Sequence, residues 1–216
     1  MARRWSGRQR AVLWAIAAYA VLWVWMFCTR PWGDAGHKTF ADLYQILPPL
    51  GAALCAFGCA WRGPDLSPAQ RIGWALVGVA CVFDCAAEAL WAWHEIGLRI
   101  EPPYPSWTDV WYLTTYPFLI AGVMCLFGAM PLAQRARLML DGAIAAASVG
   151  LLSWYVVILP LWNQSAVSPA VKYVGIAYPL FDLALIFSVF LLFSAVGSNA
   201  AARRPTICLA LGGLLR

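Results

Sequence analysis

The chain has 216 residues, 62% of them hydrophobic and only 12% charged, with thirteen tryptophans and a formal net charge of +5. A soluble domain carries about 25% charged residues, so this composition argues against an ordinary soluble enzyme and for an integral membrane protein. The positive charge does not point to nucleic acid, because the basic residues fall in short clusters between apolar runs rather than along one face or tail.

Residues 1–10 form a basic N-terminus holding Arg3, Arg4, Arg8 and Arg10. The apolar run at 11–28 follows like the core of a signal peptide, but it contains Trp14, Trp23 and Trp25. It continues into "CTRPWG" with no small-x-small cleavage site, so it reads as an uncleaved signal-anchor. The next apolar run, 43–61, contains "LYQILPPLGAAL" and, further along, Cys55 and Cys59. A third, 72–93, contains "CVFDCAAEALWAW", where Cys81, Asp84, Cys85, Glu88, Trp91 and Glu95 recur at helical spacing and share one face.

Asp84 and Glu88 carry the strongest chemical signal. A carboxylate near the centre of a bilayer costs about 2.5–3.5 kcal/mol on insertion scales, so such groups face the bundle interior and take partners. Two readings follow: neutral carboxyls joining helices, or a site for a ligand, a proton or a cation. The two i,i+4 cysteine pairs, Cys55/Cys59 and Cys81/Cys85, are weak metal candidates. Structural zinc sites use short loops, and cysteine on a helix face serves close helix contact. No metal is therefore expected, and His37 and His94 read as surface residues of outer loops.

The fourth element begins in "PPYPSWTDVWYLTTYPFLIAGV", residues 102–123, and spans 108–130. Ser106-Trp107-Thr108-Asp109 has capping-box spacing: the Ser106 hydroxyl is expected to accept from the Asp109 amide, and the Asp109 carboxylate from the Ser106 amide. Both are read as structural cap residues. Pro117 lies about two turns inside and leaves the Leu113 carbonyl without its helical donor. Pro179 does the same to Gly175, and Pro48 to Tyr44. The choice is between three kinked helices that simply pack and three kinks surrounding an outward-facing cavity.

The fifth span is 139–162, with Asp141 four residues after Arg137 as a surface pair. The sixth, 171–196, brings "KYVGIAYPLFDLAL" with Tyr178 and Asp182. Lys172, near its outer end, is the one base placed to reach the acids. Residues 206–216 start a seventh span that stops after ten apolar residues, as a fragment or shortened reading frame would.

The expected fold is therefore all-α, a polytopic transmembrane helical bundle with six full spans and a truncated seventh. With the N-terminus inside, Arg3, Arg4, Arg8, Arg10, Arg62, Arg71, Arg135, Arg137, Arg203 and Arg204 are inner, while Arg30, Lys38, Arg99 and Lys172 are outer. Trp32, Trp61, Trp93, Trp107 and Trp162 sit at span ends like an aromatic belt. Aromatic-then-proline entries at Pro48, Pro117 and Pro179 suggest repeated two-helix hairpins in one direction.

Three segments in this order carry a resemblance. They are Pro103, Pro105, Ser106, Asp109, Tyr112, Leu113, Tyr116 and Pro117; then Arg137, Leu140, Asp141 and Gly142; then Tyr178, Pro179 and Asp182. The pattern resembles the multi-pass N-terminal membrane region of bacterial GGDEF/EAL (cyclic-di-GMP) signalling proteins. That resemblance implies a sensory or anchoring module in the bacterial inner membrane, followed by an output domain such as a diguanylate cyclase that also brings two copies together. It raises interest in Asp141 and Asp182. It implies no catalytic residue and no cofactor in this chain, which contains no G-G-D-E-F.

Other enzyme signatures are missing too: G-x-x-x-x-G-K-[ST], H-E-x-x-H and G-x-S-x-G do not occur. The expected partners are the lipid bilayer and a small ligand or ion held by Asp84, Glu88, Tyr116, Tyr178 and Asp182. The alternative function is a small proton- or cation-coupled transporter or channel subunit using Asp84, Glu88 and Asp182. A third reading is an inert anchor.

Overall fold

The computed structural model of the protein describes residues 7–63, 66–127, 132–164 and 168–196. Among these, every regular element is a helix: α1 (Gly7–Thr29), α2 (Gly33–Arg62), α3 (Pro68–Ala92), α4 (Trp107–Phe127), α5 (Leu132–Ser153), α6 (Leu159–Asn163) and α7 (Pro169–Val196). Wide π-helical turns extend α3 through Trp93–Leu98 and join α5 to α6 through Trp154–Ile158. The expected seventh span, 206–216, lies outside the described residues.

Among the described residues, five helical stretches are long and apolar enough to cross a membrane: Gly36–Arg62, Pro68–Leu98, Trp107–Leu126, Met139–Asn163 and Pro169–Phe190. Within α1 the apolar stretch Ala17–Thr29 is shorter. All five tryptophans read as belt residues are more than half exposed, from 55% at Trp162 to 86% at Trp61. Large apolar side chains directed outward are what a lipid-facing surface requires, whereas a soluble protein rarely exposes so much contiguous apolar area.

The element bounds correct the sequence reading where a helix outlasts its apolar stretch. α2 starts ten residues before position 43, because the polar segment 33–42 is helical although hydropathy ends there. His37 therefore lies on a helix rather than in a loop. His94 lies in the π turn after α3, with its Nδ1 2.8 Å from the Leu90 carbonyl oxygen. The fifth span is likewise not one regular helix. Pro160, the second residue after its π turn, has no N–H for the carbonyl four residues back.

The chain divides into two compact units, Met1–Tyr44 and Gln45–Arg216. In the first, the rings of Tyr19 and Tyr44 stack with centroids 3.9 Å apart, and each hydroxyl donates to the other's backbone carbonyl. The Tyr44 carbonyl is the one that Pro48 leaves without a helical donor, so the Tyr19 hydroxyl replaces the missing rung. Trp23, Met26, Phe27, His37, Phe40 and Ala41 enclose a hollow of about 10 Å³ beside this pair.

In the second unit, α3 packs on α4, α4 on α7, and α7 on α5. Ser67 caps α3 with a complete capping box: the Gln70 amide donates to its hydroxyl at 3.3 Å, and its own amide donates to Gln70 Oε1 at 2.9 Å. Arg71, one turn on, donates to the carbonyls of Ala60, Trp61 and Gly63 and so closes the C-terminus of α2. The small core of Ala56, Trp74 and Val77 is flanked by Cys59, Cys81, Leu119 and Leu126.

α3 and α4 touch through glycine. A methyl group at Gly122 would stand 2.9 Å from the Gly73 carbonyl oxygen, and one at Gly73 would stand 2.9 Å from the Gly122 carbonyl oxygen. The two backbones are in direct contact, as small residues permit between membrane helices.

Candidate functional site: tyrosine–carboxylate pairs between α3, α4 and α7

Asp109 begins the site. It is the third residue of α4 and only 8% exposed. Its Oδ2 accepts from the Ser106 amide at 2.7 Å, with the Ser106 hydroxyl 3.3 Å away. The Ser106 hydroxyl in turn accepts from the Thr108 amide at 3.2 Å, one residue short of the expected Asp109 amide. The Asp109 amide goes instead to the Ser106 carbonyl at 3.2 Å, which tightens this first turn. The cap occupies only one side of the carboxylate. Asp109 Oδ1 accepts from the Tyr178 hydroxyl of α7 at 2.8 Å.

A second bond runs between the same helices in the opposite sense. The Tyr116 hydroxyl of α4 donates to Asp182 Oδ1 of α7 at 2.6 Å, and the Tyr116 ring stacks on Phe181 with centroids 5.3 Å apart. A third tyrosine of the group, Tyr112, the second one on α4, pairs with Glu88 of α3. The three tyrosines and three carboxylates thus join α3 to α4 and α4 to α7, with a phenol as donor each time and a carboxylate as acceptor.

Tyr104, in the loop before α4, lies at the edge of this group. Burial first, and then the neighbouring Asp109 charge, push its phenol above its ordinary value. Its hydroxyl stands 3.3 Å from where a methyl on Gly175 of α7 would project.

The remaining sequence candidates fall elsewhere or take simpler parts. Asp84, one turn before Glu88, is half-buried and engaged with a partner. Asp182 accepts its tyrosine while the rest of the residue is exposed. Lys172 does not reach inward to the acids: its Nζ donates to the Trp162 carbonyl at 2.8 Å and caps α6. Asp141 is exposed on α5, and its expected pairing with Arg137 lies outside the described side chains.

Cys55, Cys59, Cys81 and Cys85 are thiols, with Cys85 Sγ 3.8 Å from the Ile46 carbonyl oxygen. Among the described residues no three histidine, cysteine or acidic side chains converge as a metal requires. Tyr116 is buried, its ring against Phe181. An open, shallow groove lies along α2 and α3, lined by Phe57, Ala60, Trp61, Arg71, Ile72 and Ala75.

Sequence reasoning missed Tyr112 and Tyr104 as members of the site. The signal for Tyr112 was its position one turn after Asp109 and one turn before Tyr116, on one face of α4. Tyr104 gives no comparable signal, because the loop conformation sets its position.

No family model, no curated protein and no solved structure matches the chain.

Proposed function

We propose that the chain is the membrane-embedded sensory or anchoring module of a bacterial signalling protein, with a diguanylate-cyclase-type output domain in the polypeptide beyond it. In this reading it sits in the inner membrane with a cytoplasmic N-terminus, six spans and the start of a seventh, built from hairpin repeats. Dimerisation belongs to the output domain, and the stimulus is a small ligand or ion. What supports the reading is where the residues carrying the resemblance lie in space. Asp109 and Tyr116 of the first segment bond Tyr178 and Asp182 of the third, across 69 and 66 residues. Gly142 of the second packs on Phe187 of the same α7. Segments far apart in the chain thus share one helix as their meeting point.

The test is the native polypeptide in its own membrane. An antibody to the 102–106 loop is expected to detect a band well above the 23.7 kDa of this chain, with peptides of a GGDEF domain in its digest. A native product of 23.7 kDa without such peptides sinks the reading.

The transporter or channel alternative rests on Asp84 and Glu88, two acids on one face inside a span, together with Asp182 inside another. Purified chain in liposomes would then carry a proton or cation flux that Glu88→Gln abolishes.

A further inference from the structure

Pro117 and Pro179 each interrupt a helix and withhold one backbone N–H, so α4 and α7 bend most readily at these points. The residue immediately before each proline is a tyrosine, and that tyrosine reaches across to the other helix. Tyr178 donates to Asp109, and Tyr116 to Asp182. Each bend is therefore pinned from the opposite helix. Asp109 has a second attachment, since its other oxygen holds the Ser106 amide at 2.7 Å. One carboxylate thus grips the 102–106 loop with one oxygen and the α7 bend with the other. Tyr104 of the same loop rests beside Gly175, one turn before Pro179.

We propose that Asp109 is the joint of a conformational relay: displacing the 102–106 loop breaks the Asp109–Tyr178 bond and frees α7 to bend at Pro179. The Tyr116–Asp182 bond, one turn further in, remains as the pivot. This coupling is a property of the fold and holds whether or not an output domain follows. Its physical basis is a two-position element: a phenol either bonded to Asp109 or released from it, next to the proline at which α7 bends. A ligand on the loop shifts that equilibrium only through its difference in affinity for the two positions.

The test uses the full chain in lipid nanodiscs, with a genetically encoded spin-labelled amino acid at the exposed positions Ala121 on α4 and Ile186 on α7. Pulsed electron resonance then reads the distance between the helices beyond both prolines. The unmodified pair is expected to give one narrow distribution. Tyr178→Phe keeps the ring and removes only the hydroxyl, and is expected to broaden the distribution and move its centre by about 1–2 Å or more, the scale of interhelical switching shifts.

Tyr104→Ala, which loosens the loop, is expected to do the same, and the double variant no more than either alone. An unchanged distribution in Tyr178→Phe overturns the relay. So does an effect of Tyr104→Ala that adds to that of Tyr178→Phe, because independent sites add while members of one link do not.

Discussion

α4 has two principal neighbours and meets them by opposite means. Against α3 it presents Gly122, and the two backbones approach so closely that neither glycine has room for a methyl group. Against α7 it presents Asp109 and Tyr116, which form hydrogen bonds over side-chain lengths. The first seam is held by packing, which falls away steeply with separation and has no alternative arrangement at similar energy. The second is held by a few polar bonds between groups that water or another partner can also satisfy. Membrane helices gain only modestly from such bonds, about 0.6 kcal/mol on average. A seam of the first kind fixes a register, while a seam of the second kind permits two. The relay proposed above therefore belongs to the α4–α7 seam rather than to the α3–α4 one.

The comparison breaks most visibly at the glycine seam. Gly122→Val drives a branched side chain into the Gly73 carbonyl and the Val77 backbone, neither of which can rotate away. Overpacking costs about 1–3 kcal/mol where side chains can yield, and here the obstruction is backbone. The expected outcome is a loss on the order of 3 kcal/mol, seen as a large fall in thermal midpoint in detergent. Gly51→Val is the control, because a Cβ added there meets no atom within 4 Å. If the two substitutions cost the same, α3 and α4 are not in backbone contact.

The polar seam breaks at Asp109. Asn has nearly the same shape but only one acceptor oxygen, so either the Ser106 amide or the Tyr178 hydroxyl faces an N–H group instead. Asp109→Asn is expected to cost about 1–3 kcal/mol, the range for a buried donor left without its acceptor. A double-mutant cycle with Tyr178→Phe isolates the interhelical share, expected at about 0.6–1.7 kcal/mol. A coupling of zero would make Asp109 a cap alone.

The two seams were unequally legible in the sequence. Hydropathy located most of the long helices, because a span must be apolar over its whole crossing. It failed at 33–42 and 132–138, where the helix continues through polar residues that a hydropathy window does not count. The Ser106–Asp109 half of the site was legible because capping is local, a matter of residues three apart. Asp84, Glu88, Tyr116, Tyr178 and Asp182 drew notice because polar groups inside apolar runs must take partners. Which partner each takes follows from which helices lie side by side. Spacing along the chain does not encode that, so the Tyr178–Asp109 bond was out of reach and Lys172 was assigned the wrong role. The glycine contact was out of reach for the same reason, because Gly73 and Gly122 look like any other glycines in apolar helices.

The smallest expected effect distinguishes packing from hydrogen bonding at a single buried hydroxyl. Thr115 and Ser188 are buried within helices, and each returns its hydroxyl to the carbonyl four residues earlier, Trp111 at 3.3 Å and Ala184 at 2.7 Å. Thr108 is 1% exposed, and its Oγ1 has no hydrogen-bond partner among the described residues. The difference is positional. Thr108 is the second residue of α4, so four residues back is Tyr104, outside the helix, and no helical carbonyl is presented there. Its burial is therefore supported by packing alone, at the cost of an unpaired hydroxyl. Valine has the same branched shape without that cost. Thr108→Val is expected to leave the thermal midpoint unchanged or to raise stability by about 1 kcal/mol, whereas Thr115→Val is expected to lower it slightly. A clear loss in Thr108→Val would show that the hydroxyl is held by a bound water or ligand at the start of α4, and would make that end of the helix, beside Asp109, part of a binding site.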